Sequence, residues 1–165
     1  NDPILAVNPS GRVPFLMLGD GTGMEDTDLI VDYLDALAPP RKYDVPHGEG
    51  YWRFRRLEAT ARSILDGGSV WAREIKRPVA EQSSEIIDHE RRRAVRMSDY
   101  FENEIQNEVF QGELNKPQLL LFCALDLERR IPGFDWRAKC PRLCEWFRRL
   151  EVSKAAAASL PPIGV

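Results

Sequence analysis

The stretch NPSGRVPFLML, residues 8–18, decides how the rest of the chain is read. Phe15, Leu16, Met17 and Leu18 are apolar and suit a strand, yet Pro14 stands directly before them. Proline cannot donate to a sheet ladder, so it occupies strand starts, edges or bulges. A Val13-Pro14 bond at a strand start is also a candidate for the cis form, which is kept mainly for tight turns. Such a turn leaves the N–H and C=O of Val13 unpaired within the sheet and open to another extended peptide.

Working outward, residues 15–18 are expected to form a strand, residues 19–22 (GDGT) a turn, and residues 23–25 a short partner strand. A helix should begin near Thr27, with Leu29, Ile30, Tyr33, Leu34 and Leu37 at helical spacing and Pro39-Pro40 at its end. This gives a mixed α/β region over residues 1–40. Residues 41–50, with Pro46, Gly48 and Gly50, read as a linker.

From 51 to 165 the pattern is helical throughout. Residues 51–76 place Phe54, Leu57, Ala61, Ile64, Leu65, Trp71 and Ile75 on one face, and Gly67-Gly68 within them implies close packing or a kink. Residues 84–108 form a second long amphipathic helix. Residues 116–130, with LLLFCAL, are apolar on every side, as in a buried central helix. Asn115 and Gln118 at its start suit a variant capping box, and Cys123 within it reads as a core residue. PRLCEWFRRL (141–150) gives a further helix, with Pro141 in its first turn. KAAAASLPP (154–162) reads as a short tail.

Composition narrows the functional classes. The chain has 165 residues, 43% hydrophobic and 30% charged, as in an ordinary globular protein. A formal charge of −3 argues against a general nucleic-acid binder. The basic run HERRRAVR (89–96) is interleaved with acids and reads as a salt-bridged face or dimer edge. No apolar run approaches a membrane span, and no secretory signal is visible. Three cysteines, an odd number, suggest reduced thiols and a cytoplasmic setting. Cys140 and Cys144, with only His47 and His89 elsewhere, do not make a metal site.

Three features in the first forty residues suit one ligand. Val13-Pro14 offers unpaired backbone groups. The helix start at Asp26-Thr27 offers N–H groups and the positive end of a dipole to a carboxylate, with Thr27 able to cap. Asp26 itself can pair with an ammonium. A ligand with an extended peptide part and an α-amino acid end meets all three, and glutathione is such a ligand.

Residues 8–37 resemble the later half of the thioredoxin-like domain of glutathione S-transferases. The family pattern runs Asn-Pro-x-Gly-Lys-Val-Pro, an Asp-Gly turn, an acid followed by Ser or Thr, then Ile-x-x-Tyr-Leu. Here Asn8, Pro9, Gly11, Val13, Pro14, Asp20, Gly21, Asp26, Thr27, Ile30, Tyr33 and Leu34 fill it in order. RRLEATARSILDGGSVWAREIKRP, LLLFCALDLERRIPGFDWR and CPRLCEWFRRLEVSKAAAASLPP are similar to the helical domain of bacterial members. The resemblance implies a fold of α/β plus all-α type: a partial thioredoxin-like region (1–40), a linker (41–50) and an all-helical domain (51–165).

The same resemblance implies roles. Pro14 is the cis-proline, Val13 exchanges backbone hydrogen bonds with the cysteinyl unit, and Asp26 and Thr27 hold the γ-glutamyl end. Arg12, where the family often has Lys, meets the glycyl carboxylate. The implied activity is attack of the glutathione thiolate on a small electrophile, a detoxification chemistry, in a cytoplasmic homodimer. Arg62, Trp71 and Tyr100 are candidates for the electrophile cleft between the two regions, and Asp66 for a reach across the dimer, against core packing or plain helix surface. The family's thiol-activating Ser, Tyr or Cys lies in the first strand–turn–helix, upstream of Asn1. The sequence is therefore expected to be part of a longer protein rather than a degenerate member, since a half-sheet alone would expose Phe15 and Met17. A non-catalytic binding or scaffold protein on this fold, and a glutathione-dependent thiol reductase, are the alternatives.

Overall fold

The computed structural model describes residues 3–159 and divides into two compact units between Val45 and Pro46. The first unit contains a short helix α1 (Pro3–Val7), strands β1 (Phe15–Met17) and β2 (Gly23–Glu25), and helix α2 (Thr27–Ala36). The strands pair antiparallel with Phe15 opposite Glu25 and Met17 opposite Gly23. Asp20 shapes the turn between them, its Oδ1 accepting from the Thr22 N–H (2.9 Å) and hydroxyl (2.6 Å), while Gly21 takes the positive φ (85°) the turn needs. Gly23 is required for a different reason: a Cβ there would lie 2.2 Å from Cζ of the Phe15 ring, which covers it.

Three sequence expectations change in this unit. Helix α1 was not anticipated. Leu29, Leu34 and Leu37 of the predicted apolar face are exposed, while Ile30 and Tyr33 are half-buried. The segment read as a linker begins as part of the first unit: the buried Asp35 carboxylate accepts from the N–H groups of Lys42 (2.9 Å) and Tyr43 (3.0 Å), with Arg41 nearby. One buried acid thus fastens the chain leaving α2.

The second unit comprises α3 (Tyr51–Glu74), α4 (Ser84–Glu104), α5 (Lys116–Asp126), α6 (Pro141–Glu151) and a short α7 (Lys154–Ala158). Helix α3 packs against α5 and α4, and α4 against α6. Leu57, Ala61, Phe101, Leu121, Leu125 and Phe147 are at the centre of one apolar core. Its two indole donors are satisfied, Trp136 on the Leu125 carbonyl and Trp146 on the Phe110 carbonyl, both at 3.1 Å. Gly67-Gly68 leaves α3 unbroken. A Cβ at Gly67 would lie 2.4 Å from the Glu90 carboxylate, and one at Gly68 2.4 Å from Leu127, so both glycines admit close neighbours.

Helix ends depart from the sequence expectation in detail. Helix α4 stops at Glu104, and 108–110 is a separate 3₁₀ turn; α5 stops at Asp126. Asn115 caps α5 through the Gln118 N–H (3.1 Å), but the Gln118 amide holds the Val109 and Glu113 carbonyls rather than closing a reciprocal box. Cys123 lies on an exposed side of α5, not in the core, while Cys140 and Cys144 are buried. Burial, with Glu102 and Asp99 nearby, pushes the Cys140 thiol up to about 11. The tail forms α7 over 154–158; its residues 160–162 lie outside the described ones.

Helix α6 has no side-chain cap of its own. Glu102 of α4 supplies one, accepting from the N–H groups of Arg142 (3.1 Å) and Leu143 (2.8 Å) and from Arg142 Nε (3.0 Å). Desolvation pushes this carboxyl up, but the Leu143 and Arg142 bonds outweigh it and hold it below the ordinary 4.5. A group depressed on folding contributes stability above its unfolded pKa and loses it as pH falls through the folded one. Glu102→Gln is therefore expected to cost about 1 kcal/mol in denaturant unfolding at neutral pH. The difference should shrink as pH drops below the ordinary 4.5. A difference independent of pH would show that the charge at the helix start contributes nothing.

Candidate functional site

The hairpin register sets the site. With Phe15 opposite Glu25, the residues just beyond the paired strands, Val13-Pro14 on one side and Asp26-Thr27 on the other, come to the same end of the hairpin. The Val13-Pro14 bond is cis. Val13 is 79% exposed, and neither its N–H nor its C=O has a hydrogen-bond partner among the described residues.

The loop before it is tightly held. Asn8, 1% exposed, donates from Nδ2 to the Arg12 carbonyl at 2.6 Å, and the Gly11 N–H donates to the Asn8 carbonyl at 3.0 Å. Gly11 makes the return with a positive φ of 63°. The Arg12 N–H donates to the Ser10 hydroxyl (3.1 Å), which lies beside both Asn8 Oδ1 (3.0 Å) and the Glu25 carboxylate. Both polar backbone groups of Arg12 are thereby occupied, while its exposed guanidinium pairs with nothing among the described residues.

At the other side Asp26, not Thr27, is the cap of α2. Its Oδ1 accepts from the N–H groups of Asp28 (2.9 Å) and Leu29 (3.3 Å), which are therefore not free for a ligand. Thr27 keeps its own N–H and hydroxyl unpartnered among the described residues. Asp26 has φ 82° and ψ 123°, a conformation that non-glycine residues rarely adopt and that costs about 1–3 kcal/mol. Backbone strain of this kind gathers at binding and switch sites. The site is thus a strip of free backbone at Val13, a cation at Arg12, a carboxylate at Asp26 with one oxygen uncommitted, and an N–H plus hydroxyl at Thr27.

The four candidates from the helical region are not alike. Trp71 is 3% exposed and packs near Phe134, with ring centres 6.3 Å apart, so it is a core residue. Arg62 reaches Glu58, a nearly buried acid on α3 that Arg55 also holds at 2.7 Å. Asp66 is on the exposed surface of the same helix. Tyr100 is half-buried, edge-on to Phe101 at 5.2 Å, and burial, with Glu104 adding to it, raises its phenol.

Sequence reasoning missed Asn8, Ser10 and Glu25 as organisers of the loop. Asn-Pro followed two residues later by Gly is a turn signal that could have pointed to Asn8. Ser10 and Glu25 are fifteen residues apart and carried no local signal.

Residues 1–42 match the family model described as glutathione S-transferase, N-terminal domain. An uncharacterized GST-like protein of Escherichia coli K12, YibF, is 29% identical over 161 residues, covering 94% of this chain and 78% of that protein. A glutathione transferase family member from Pseudomonas fluorescens Pf-5, solved with bound glutathione, is 25% identical with a TM-score of 0.89, covering 99% of this chain and 80% of the other. A second structure from that organism, with bound S-(propanoic acid)-glutathione, is 26% identical with a TM-score of 0.82, over 99% and 83%. The fold is that of the glutathione transferases, a partial thioredoxin-like region followed by a helical domain. The chain belongs to the glutathione S-transferase family.

Among the described residues, no helix is long and apolar enough to cross a membrane, and no group of His, Cys, Asp or Glu could hold a metal ion.

Proposed function

We propose that this chain binds glutathione along Val13 and serves its conjugation to small electrophiles. The observation that carries the proposal is the set of unpartnered groups at one end of the hairpin: the Val13 main chain, the Arg12 guanidinium, and the Thr27 N–H and hydroxyl. In the proposed complex the cysteinyl unit of glutathione adds to Val13 as a short antiparallel strand would. Its γ-glutamyl ammonium pairs with Asp26, the adjoining carboxylate takes the Thr27 N–H and hydroxyl, and the glycyl carboxylate meets Arg12. These residues bind and orient the tripeptide so that its sulfur is fixed before an electrophile arrives.

A relative that holds a glutathione thioether supports conjugation as the chemistry. On the helical side, Arg62, Asp66 and Tyr100 are proposed to contact the electrophile, and the homodimer expected of the family is part of the same proposal. The reductase alternative gains no support from the cysteines: Cys123 is on α5, and Cys140 and Cys144 are buried at α6.

The full chain is expected to be retained on immobilised glutathione, to elute with free glutathione, and to conjugate a chlorinated nitrobenzene. Retention without turnover would favour a non-catalytic binding protein, and failure to be retained would remove glutathione from the account.

A further inference from the structure

The two halves of the proposed site come from separate segments, Asn8–Val13 and Asp26-Thr27, and something must hold their spacing. We propose that Ser10 and Glu25 are positioning residues for glutathione, forming a clasp that fixes the Arg12–Val13 peptide against the end of β2; this rests on the reading above.

The Ser10 hydroxyl has one proton, and the carboxylate of Glu25 is the stronger acceptor it meets. Its oxygen in turn accepts the Arg12 N–H at 3.1 Å. On the other side of the same residue, Asn8 Nδ2 grips the Arg12 carbonyl at 2.6 Å. That carbonyl belongs to the peptide unit whose N–H is Val13's. Because the unit is planar, holding the oxygen aims the N–H. Glu25 immediately precedes Asp26 and pairs with Phe15 in the hairpin, so the clasp ties the segment that reads the peptide to the one that reads the amino-acid head. Neither residue points a free group at a ligand; each acts through Arg12 and Val13.

The test uses the full chain with Ser10→Ala, Glu25→Ala, Glu25→Gln and the Ser10→Ala/Glu25→Ala double variant. The readouts are glutathione affinity by calorimetry, the thermal midpoint, and the Val13 amide resonance. Each alanine variant should weaken binding about tenfold, the loss expected for a hydrogen bond to a charged group. The double variant should be no weaker than the worse single one, because both remove one clasp. Glu25→Gln, which keeps an acceptor oxygen, should recover most of the affinity. The Val13 resonance should shift in the alanine variants while the thermal midpoint stays near that of the unaltered chain. Affinities unchanged by the single substitutions, or losses that simply add in the double variant, would overturn the clasp alone. An unaltered chain that binds no glutathione would overturn the underlying reading, and the clasp with it.

Discussion

Asp26→Ala should weaken glutathione binding by about a hundredfold or more, because it removes the counter-charge of the γ-glutamyl ammonium in the proposed complex. The structure adds a second consequence. Asp26 Oδ1 also caps α2 through the Asp28 and Leu29 N–H groups, so alanine should cost about 1 kcal/mol of stability as well. The two effects can be separated. Asn caps a helix about as well as Asp, so Asp26→Asn should leave unfolding nearly unchanged while still losing most of the affinity. Calorimetry and denaturant unfolding on the same two variants give both numbers. If Asp26→Asn binds glutathione like the unaltered chain, the carboxylate is a helix cap and nothing more.

The largest effect on stability is expected from Phe147→Ala, at about 3–5 kcal/mol. Phe147 on α6 is fully buried. Its ring stacks on Phe122 at 4.6 Å and meets Trp136 at 5.4 Å, and the Arg137 guanidinium lies 4.5 Å above it. Truncation leaves a cavity and removes two aromatic contacts and a cation–π contact together. Against a typical total of about 5–15 kcal/mol, that loss is severe. Phe147→Leu, which restores much of the volume, should cost distinctly less. Equal costs for the two variants, measured by denaturant unfolding, would mean that the rings around Phe147 contribute little beyond filling space.

The hairpin and the long helices were legible because their signals are local. Pro14 ahead of an apolar run, the Asp20-Gly21 turn and the 3.6-residue spacing on α3 and α4 each depend on neighbours in sequence. The placement of Val13-Pro14 beside Asp26-Thr27 followed once the hairpin was read, since register carries one to the other. What stayed hidden was the set of polar contacts between distant residues. Asp35 holding Lys42 and Tyr43, Ser10 meeting Glu25, and Glu102 capping α6 from forty residues away leave no periodic trace. Cys123 was misplaced for a related reason: apolar composition around α5 says that most of the helix is covered, but not which side is left open. Thr27 as cap was the reverse error. A hydroxyl at a helix start is an ordinary cap, and only the positive φ of Asp26 brings its carboxylate onto the first turn instead.

The most direct measurement is a crystal structure of the full chain soaked in glutathione. The account predicts the cysteinyl unit paired through both its backbone groups with Val13, and the γ-glutamyl carboxylate on the Thr27 N–H and hydroxyl with its ammonium at Asp26. Glutathione bound elsewhere, or with its head group away from the start of α2, would contradict it.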